Sequence, residues 1–152
     1  MRIKMSNKVS EVAQRCIELA EVIKDSVCKF HMGMYMHIDG ISTRPPKAVY
    51  DKTINECETG ACVAGHIPLS HLELVVLSYD GSIDSGKTSF NFLQTESSDS
   101  LWKFLFSQVW SDDKEQAIKR LLYVAENRTI HPDFFVYDVA NGCYSKYKLV
   151  LE

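Results

Sequence analysis

Phe134-Phe-Val-Tyr-Asp-Val-Ala-Asn-Gly-Cys-Tyr-Ser-Lys-Tyr-Lys-Leu-Val-Leu151 is the stretch on which the fold class turns. Two runs of strand-forming residues flank Asn141-Gly142, a dipeptide suited to the positive φ angles of a two-residue hairpin turn. The pattern predicts strands Phe134–Ala140 and Cys143–Leu151. It makes the class α+β: a helical bundle core over about residues 8–127 and a C-terminal antiparallel β-hairpin over about 133–152, in one compact domain of 152 residues.

The helices are read from apolar periodicity. Val9, Val12, Ala13, Cys16, Ile17, Ala20, Ile23 and Val27 recur at helical spacing and predict an amphipathic helix from about Lys8 to Lys29. Residues 30–38 have no helical face and read as an extended or irregular piece rich in Met and aromatic groups. Asp39-Gly40 is a turn, and Ile41–Asn55, with Thr43-Arg44-Pro45-Pro46, reads as a long surface loop. A helix capped by Thr59 is expected to run to Ile67, where Pro68 discourages continuation. Leu72–Tyr79 is ambiguous between helix and strand. Asp80–Ser98 reads as a polar loop, and Leu101–Trp110 as a short aromatic helix. Ser111 caps a helix whose stripe is Ala117, Ile118, Leu121, Leu122 and Ala125.

Composition narrows the function. Hydrophobic and charged fractions of 45% and 24% are those of an ordinary globular chain. A net charge of −3 gives no general attraction to nucleic acid or to an anionic membrane. No apolar segment approaches bilayer length, and Met1-Arg-Ile-Lys-Met5-Ser lacks a signal-peptide apolar region. Five cysteines, an odd count without a secretion signal, argue for reduced thiols in a cytoplasm.

The densest chemistry lies in Cys57-Glu-Thr-Gly-Ala-Cys62-Val-Ala-Gly-His66-Ile-Pro68. In the first turn of a helix, Cys62 would feel partial positive charge that favours a thiolate, with His66 one turn on. Three chemistries follow. Cys57, Cys62 and His66 can supply zinc ligands, with Cys28, His31, His37 or His71 a fourth. Cys62, His131 and Asp138 stand in the chain order of a cysteine nucleophile, its base and an orienting acid. In the third, the thiols are small buried hydrophobes that brace a core. The last is favoured.

Two further signals concern ligands. Gly81-Ser-Ile-Asp-Ser-Gly-Lys87-Thr88 matches a phosphate-binding loop in letters, with Lys87 facing the phosphates and Thr88 the magnesium. Such a loop should open a helix, whereas Ser89-Phe90-Asn91-Phe92 alternates like a strand, so a solvated loop is the preferred reading. Phe30, Met32, Met34, Tyr35, Met36, Trp102, Phe104, Phe106 and Trp110 form a core or line a pocket. Tyr35 and Trp110 are the residues whose exposure distinguishes the two.

The chain resembles a group of small uncharacterised proteins from bacteriophages and bacteria. The likeness rests on Phe30-His-Met-Gly-Met-Tyr35, on Cys57-x-Thr-x-x-Cys-x-Ala-Gly-His66-x-Pro68, on Leu105-Phe-Ser-Gln-Val-Trp110 and on the amphipathic run Ala117–Ala125. It spans roughly Cys28 to Asn127, and Glu58 stands where the pattern carries glycine. The resemblance implies a shared fold unit and no particular activity. Two function classes stay open. One is a cytoplasmic accessory protein that binds a host protein or a nucleotide-like signal, as in interference with host defence. The other is a cysteine- or metal-dependent hydrolase centred on Cys62. A homo-oligomer built through the hairpin edge is open as well.

Overall fold

In a computed structural model the structure describes residues 4–32, 36–38, 41–43, 46–54, 60–95, 99–107, 110–134 and 149–152. Helix α1 spans Lys4–Asp25, and the chain then enters strand β1, Lys29–Phe30. Strands β2 (Met36–Ile38) and β3 (Ile41–Thr43) follow, then helix α2 (Lys47–Thr53) and strand β4 (Gly60–Ala61). A 3-10 turn at Ala64–His66 leads into helix α3, Ile67–Ser70, and a second turn covers Leu72–Leu74. Helices α4 (Ser85–Leu93), α5 (Ser100–Phe106) and α6 (Lys114–Asn127) complete the described elements.

The core is built on helix α1 lying along α6. Ala13, Cys16, Leu19, Ala20 and Ile23 form the buried stripe of α1; Ala117, Leu121, Val124 and Ala125 form that of α6. Phe92, Phe104, Phe106, Trp110 and Phe134 extend the same interior. Phe104 meets Trp110 and Phe134 edge-on with ring centroids 6.0 and 5.1 Å apart, an arrangement the ring quadrupoles favour. Three aspartates start the later helices. Asp84 accepts from the Lys87 N–H at 2.9 Å, Asp99 from the Leu101 N–H at 2.8 Å, and Asp113 from the Gln116 N–H at 3.2 Å.

The sheet belongs to the N-terminal half. Its order is β1-β4-β2-β3, with β4 parallel to β1 and antiparallel to β2. Lys29 stands opposite Gly60 in one direction and His37 opposite Gly60 in the other. The Met36 and Ala61 side chains, paired across β2 and β4, are both fully buried.

The α+β expectation with a C-terminal hairpin is therefore corrected: the chain is mostly helical, and its described strands all lie between residues 29 and 61. Phe134 is in a helical turn after Pro132, with its N–H donating to the His131 carbonyl at 3.1 Å. Leu149–Glu152 is not strand. The turn Asn141-Gly142 and the rest of 135–148 lie outside the described residues. At the C-terminus, side chains of α6 stand in for a neighbouring strand. The Leu151 N–H donates to Gln116 Oε1 at 2.9 Å, and its carbonyl accepts from Gln116 Nε2 and Lys119 Nζ at 3.0 and 3.2 Å.

Other expectations shift as well. The 41–55 loop contains β3 and α2, and the 80–98 loop contains α4. Gly60 and Ala61 are strand, so Cys62 precedes the helical turns instead of sitting inside a helix, and Pro68 lies in the first turn of α3, where its missing N–H costs nothing. The cap of α6 is Asp113, not Ser111. The α6 stripe is rotated: Leu122 is exposed, and Arg120 is inside.

Candidate functional site

Three segments converge where α1 ends. Ser26 follows the last turn of α1, its N–H donating to the Ile23 carbonyl at 3.2 Å. Cys28 occupies the bend before β1. His66 closes the 3-10 turn after β4, with its N–H on the Val63 carbonyl at 3.1 Å. These bring a hydroxyl, a thiol and an imidazole into one triangle. Cys28 Sγ is 3.3 Å from His66 Nε2 and 3.0 Å from Ser26 Oγ, and Ser26 Oγ is 3.1 Å from His66 Nε2.

The hydrogen-bond pattern fixes the tautomer. His66 Nδ1 lies 2.6 Å from the Cys62 carbonyl oxygen, which can only accept, so Nδ1 carries the proton. Nε2 therefore presents its lone pair to the Cys28 thiol and the Ser26 hydroxyl. The Phe30 ring stacks on the imidazole with centroids 6.2 Å apart. Lys114 Nζ donates to the Ser26 carbonyl at 3.3 Å from the first residue of α6.

Burial sets the charge state. It pushes His66 down from 6.5 to about 4; the Cys62 carbonyl opposes this, and the Lys114 charge adds to it. Burial raises the Cys28 thiol, against the Ser26 hydrogen bond and Lys114. The pair is neutral at physiological pH. The distance and the orientation suit proton transfer from sulfur to Nε2, while the two shifts hold the proton on sulfur.

The cysteine singled out by spacing has a different place. Cys62 Sγ accepts from the Gly65 N–H at 3.4 Å, and burial pushes its thiol up to about 11. Its carbonyl, not its sulfur, meets His66. The Gly65 carbonyl is held in turn by the Tyr50 hydroxyl at 2.5 Å. Cys57, the third metal candidate, lies outside the described residues, as do Asp138 and Tyr35. His131 contacts Tyr123, with ring centroids 5.1 Å apart, and its Nδ1 accepts from the Asp133 N–H at 3.0 Å. Trp110 is 1% exposed and donates through Nε1 to the Lys103 carbonyl at 3.0 Å. Among the described residues, no three Cys, His, Asp or Glu side chains are grouped as a metal would require.

The Gly81–Thr88 stretch does open a helix, contrary to the strand-like alternation, but its groups are engaged. The Asp84 carboxylate occupies the N-terminus of α4. Thr88 is buried, and its hydroxyl accepts from the Val76 N–H at 3.0 Å. Lys87 is exposed. A phosphate at this helix start would meet a carboxylate already bonded to the Lys87 N–H.

Just upstream is an ordered protruding turn. The Ser78 N–H donates to the Ser82 carbonyl at 2.8 Å, the Gly81 N–H to the Ser78 carbonyl at 2.9 Å, and the Asp84 N–H to the Val76 carbonyl at 2.8 Å. Asp80 accepts from both the Ser82 hydroxyl and its N–H, at 2.7 and 3.0 Å, which holds its carboxyl below the usual range. Gly81 has φ +84°, a left-handed conformation that suits glycine. The Lys47 N–H donates to the Gly81 carbonyl at 3.3 Å, tying the turn to α2. Tyr79 stands fully exposed in this turn, and Leu77 and Leu72, earlier in the chain, are exposed too.

Sequence reasoning missed three residues. Cys28 was offered only as a fourth metal ligand, because its contact with His66 spans β1 to β4 and leaves no local pattern. Tyr79 lay in an ambiguous stretch. Arg120 is absent from the stripe expected for α6. Including Val124 in the α6 stripe would have rotated it toward Arg120, four residues earlier.

None of the described helices is long and apolar enough to cross a membrane. No protein-family model, curated protein or solved structure matches the chain.

Proposed function

We propose that this chain is a small cytoplasmic accessory protein of phage type that acts by binding a host protein, to the detriment of host metabolism or defence. The observation that carries the reading is Tyr79: a whole aromatic side chain in solvent, on a turn whose backbone is hydrogen-bonded on both limbs and anchored to α2. Ordering the turn in advance lowers the entropy lost on association, and tyrosine is among the residues that concentrate binding energy. Leu72 and Leu77 of the same connection are exposed as well. A protein partner is favoured over a nucleotide-like signal because Asp84 and Thr88 already use the groups a phosphate would take.

The test is affinity capture from bacterial extract, followed by binding measurements with the purified captured protein. Tyr79→Ala is expected to weaken binding by about tenfold or more while leaving the unfolding midpoint unchanged. Equal affinity of wild type and Tyr79→Ala for every captured protein sinks the reading.

A second reading rests on the 3.3 Å approach of Cys28 to His66. It puts thiol hydrolase chemistry at Cys28 rather than at Cys62. Hydrolysis that survives Cys62→Ala but not Cys28→Ala is its expected signature. Retention of hydrolysis in Cys28→Ala removes it.

A further inference from the structure

Arg120 carries two buried donors that no described residue accepts. It sits on the inward face of α6 between Ala117 and Val124 and is 1% exposed. Its guanidinium carbon lies 4.2 Å from the centroid of the Trp110 ring, so one face of the group rests on an indole. Trp110 is itself stacked with Phe134 at 5.4 Å. Nε and Nη2 have no hydrogen-bond partner among the described residues. Asp113 attracts the guanidinium electrostatically, while its own carboxylate caps α6 through the Gln116 N–H.

We infer that Arg120 anchors a buried receptor site for an oxyanion, a phosphate or carboxylate group borne by a small molecule. Nε–H and Nη2–H are the two parallel donors on one edge of a guanidinium, the fork that a carboxylate or phosphate accepts with two oxygens at once. The indole covers one face of the group and accepts no hydrogen bond from this buried edge. Leaving a buried cation unpaired is strongly destabilising, and a bound anion would remove that cost. Burial pushes Arg120 down to about 9, which reflects how poorly its surroundings solvate the cation. An anion on the fork would relieve that penalty, and the burial of the group would strengthen the pairing. The inference goes beyond the binding role of Tyr79 and does not depend on it.

The test uses the full chain in chloride buffer. Sodium phosphate and sodium acetate are titrated separately, with sodium chloride matching ionic strength. The readouts are the thermal midpoint and the Arg120 Nε–H resonance. Phosphate or acetate is expected to raise the midpoint and to move that resonance in slow exchange, while chloride does neither; the stronger of the two identifies a tetrahedral or a planar anion. Arg120→Met abolishes both responses. Arg120→Lys keeps the charge but lacks the fork, and weakens binding by roughly tenfold. Should Arg120→Met fail to fold, the wild-type resonance decides alone. The inference is overturned if neither ion moves that resonance, or if the midpoint shift persists in Arg120→Met. It is equally overturned if Asp138→Asn moves the Arg120 resonance in ligand-free protein, since the acceptor is then a carboxylate of this chain.

Discussion

Cys28 Sγ and His66 Nε2 stand 3.3 Å apart, with the imidazole proton held on the opposite nitrogen by the Cys62 carbonyl. Both partners are uncharged in the folded protein, because neither ion is solvated there. This gives the protein a defined acid response.

The unfolded chain protonates His66 near 6.5, the folded chain only near 4. Between those values the unfolded state holds the extra proton. Stability from this group is complete above about pH 6.5, falls as the pH drops toward about 4, and is flat below. The whole loss amounts to about 3 kcal/mol. Urea denaturation across that range checks it. His66→Gln is expected to be less stable at neutral pH and to show a shallower acid slope.

The thiols are expected to react slowly. Burial pushes Cys16 up to about 12 and Cys62 up to about 11, so almost no thiolate forms in the folded state near neutral pH. Alkylation of both should proceed through unfolding. Site-resolved mass spectrometry after iodoacetamide treatment should show their rates rising together with urea, in step with global unfolding. Fast labelling of Cys62 in native buffer would contradict the burial.

Lys87 and Thr88, neighbours in the phosphate-loop letters, should behave in opposite ways. Thr88→Val removes the acceptor for the partly buried Val76 N–H and is expected to cost about 1–2 kcal/mol. Lys87→Ala touches an exposed side chain and should stay within about 0.5 kcal/mol. Neither variant should alter ATP or GTP affinity. Thermal unfolding and nucleotide titration read both effects.

Helices α1 and α6 were legible because burial against a neighbouring helix imposes a period that the apolar residues repeat. Even there, Ile17 and Leu122 were assigned inward and are exposed, since a count of apolar letters ignores what the partner helix can cover. The start of α4 was concealed: Asp84 and Gly86-Lys87 read as loop chemistry, although an aspartate three residues before an accepted N–H is also a cap. The four strands hold only two or three residues each, too few for alternation to register. His66 was recognised as chemically important from its spacing. Its partner was not, because which of Cys28 and Cys62 reaches the imidazole depends on how β1 and β4 lie side by side.

Strand β4 lies between β1 and β2, although the chain makes it after β2, β3 and α2. A chain emerging from the ribosome thus exposes two sheet borders with an open slot between them until Gly60 and Ala61 arrive. Filling the slot joins segments far apart in synthesis, which is a slow kind of closure. The late arrival also delivers the imidazole, five residues after Ala61, to a thiol made long before. Assembly of the thiol–imidazole pair and completion of the sheet are one event, and a fragment ending before residue 60 has neither.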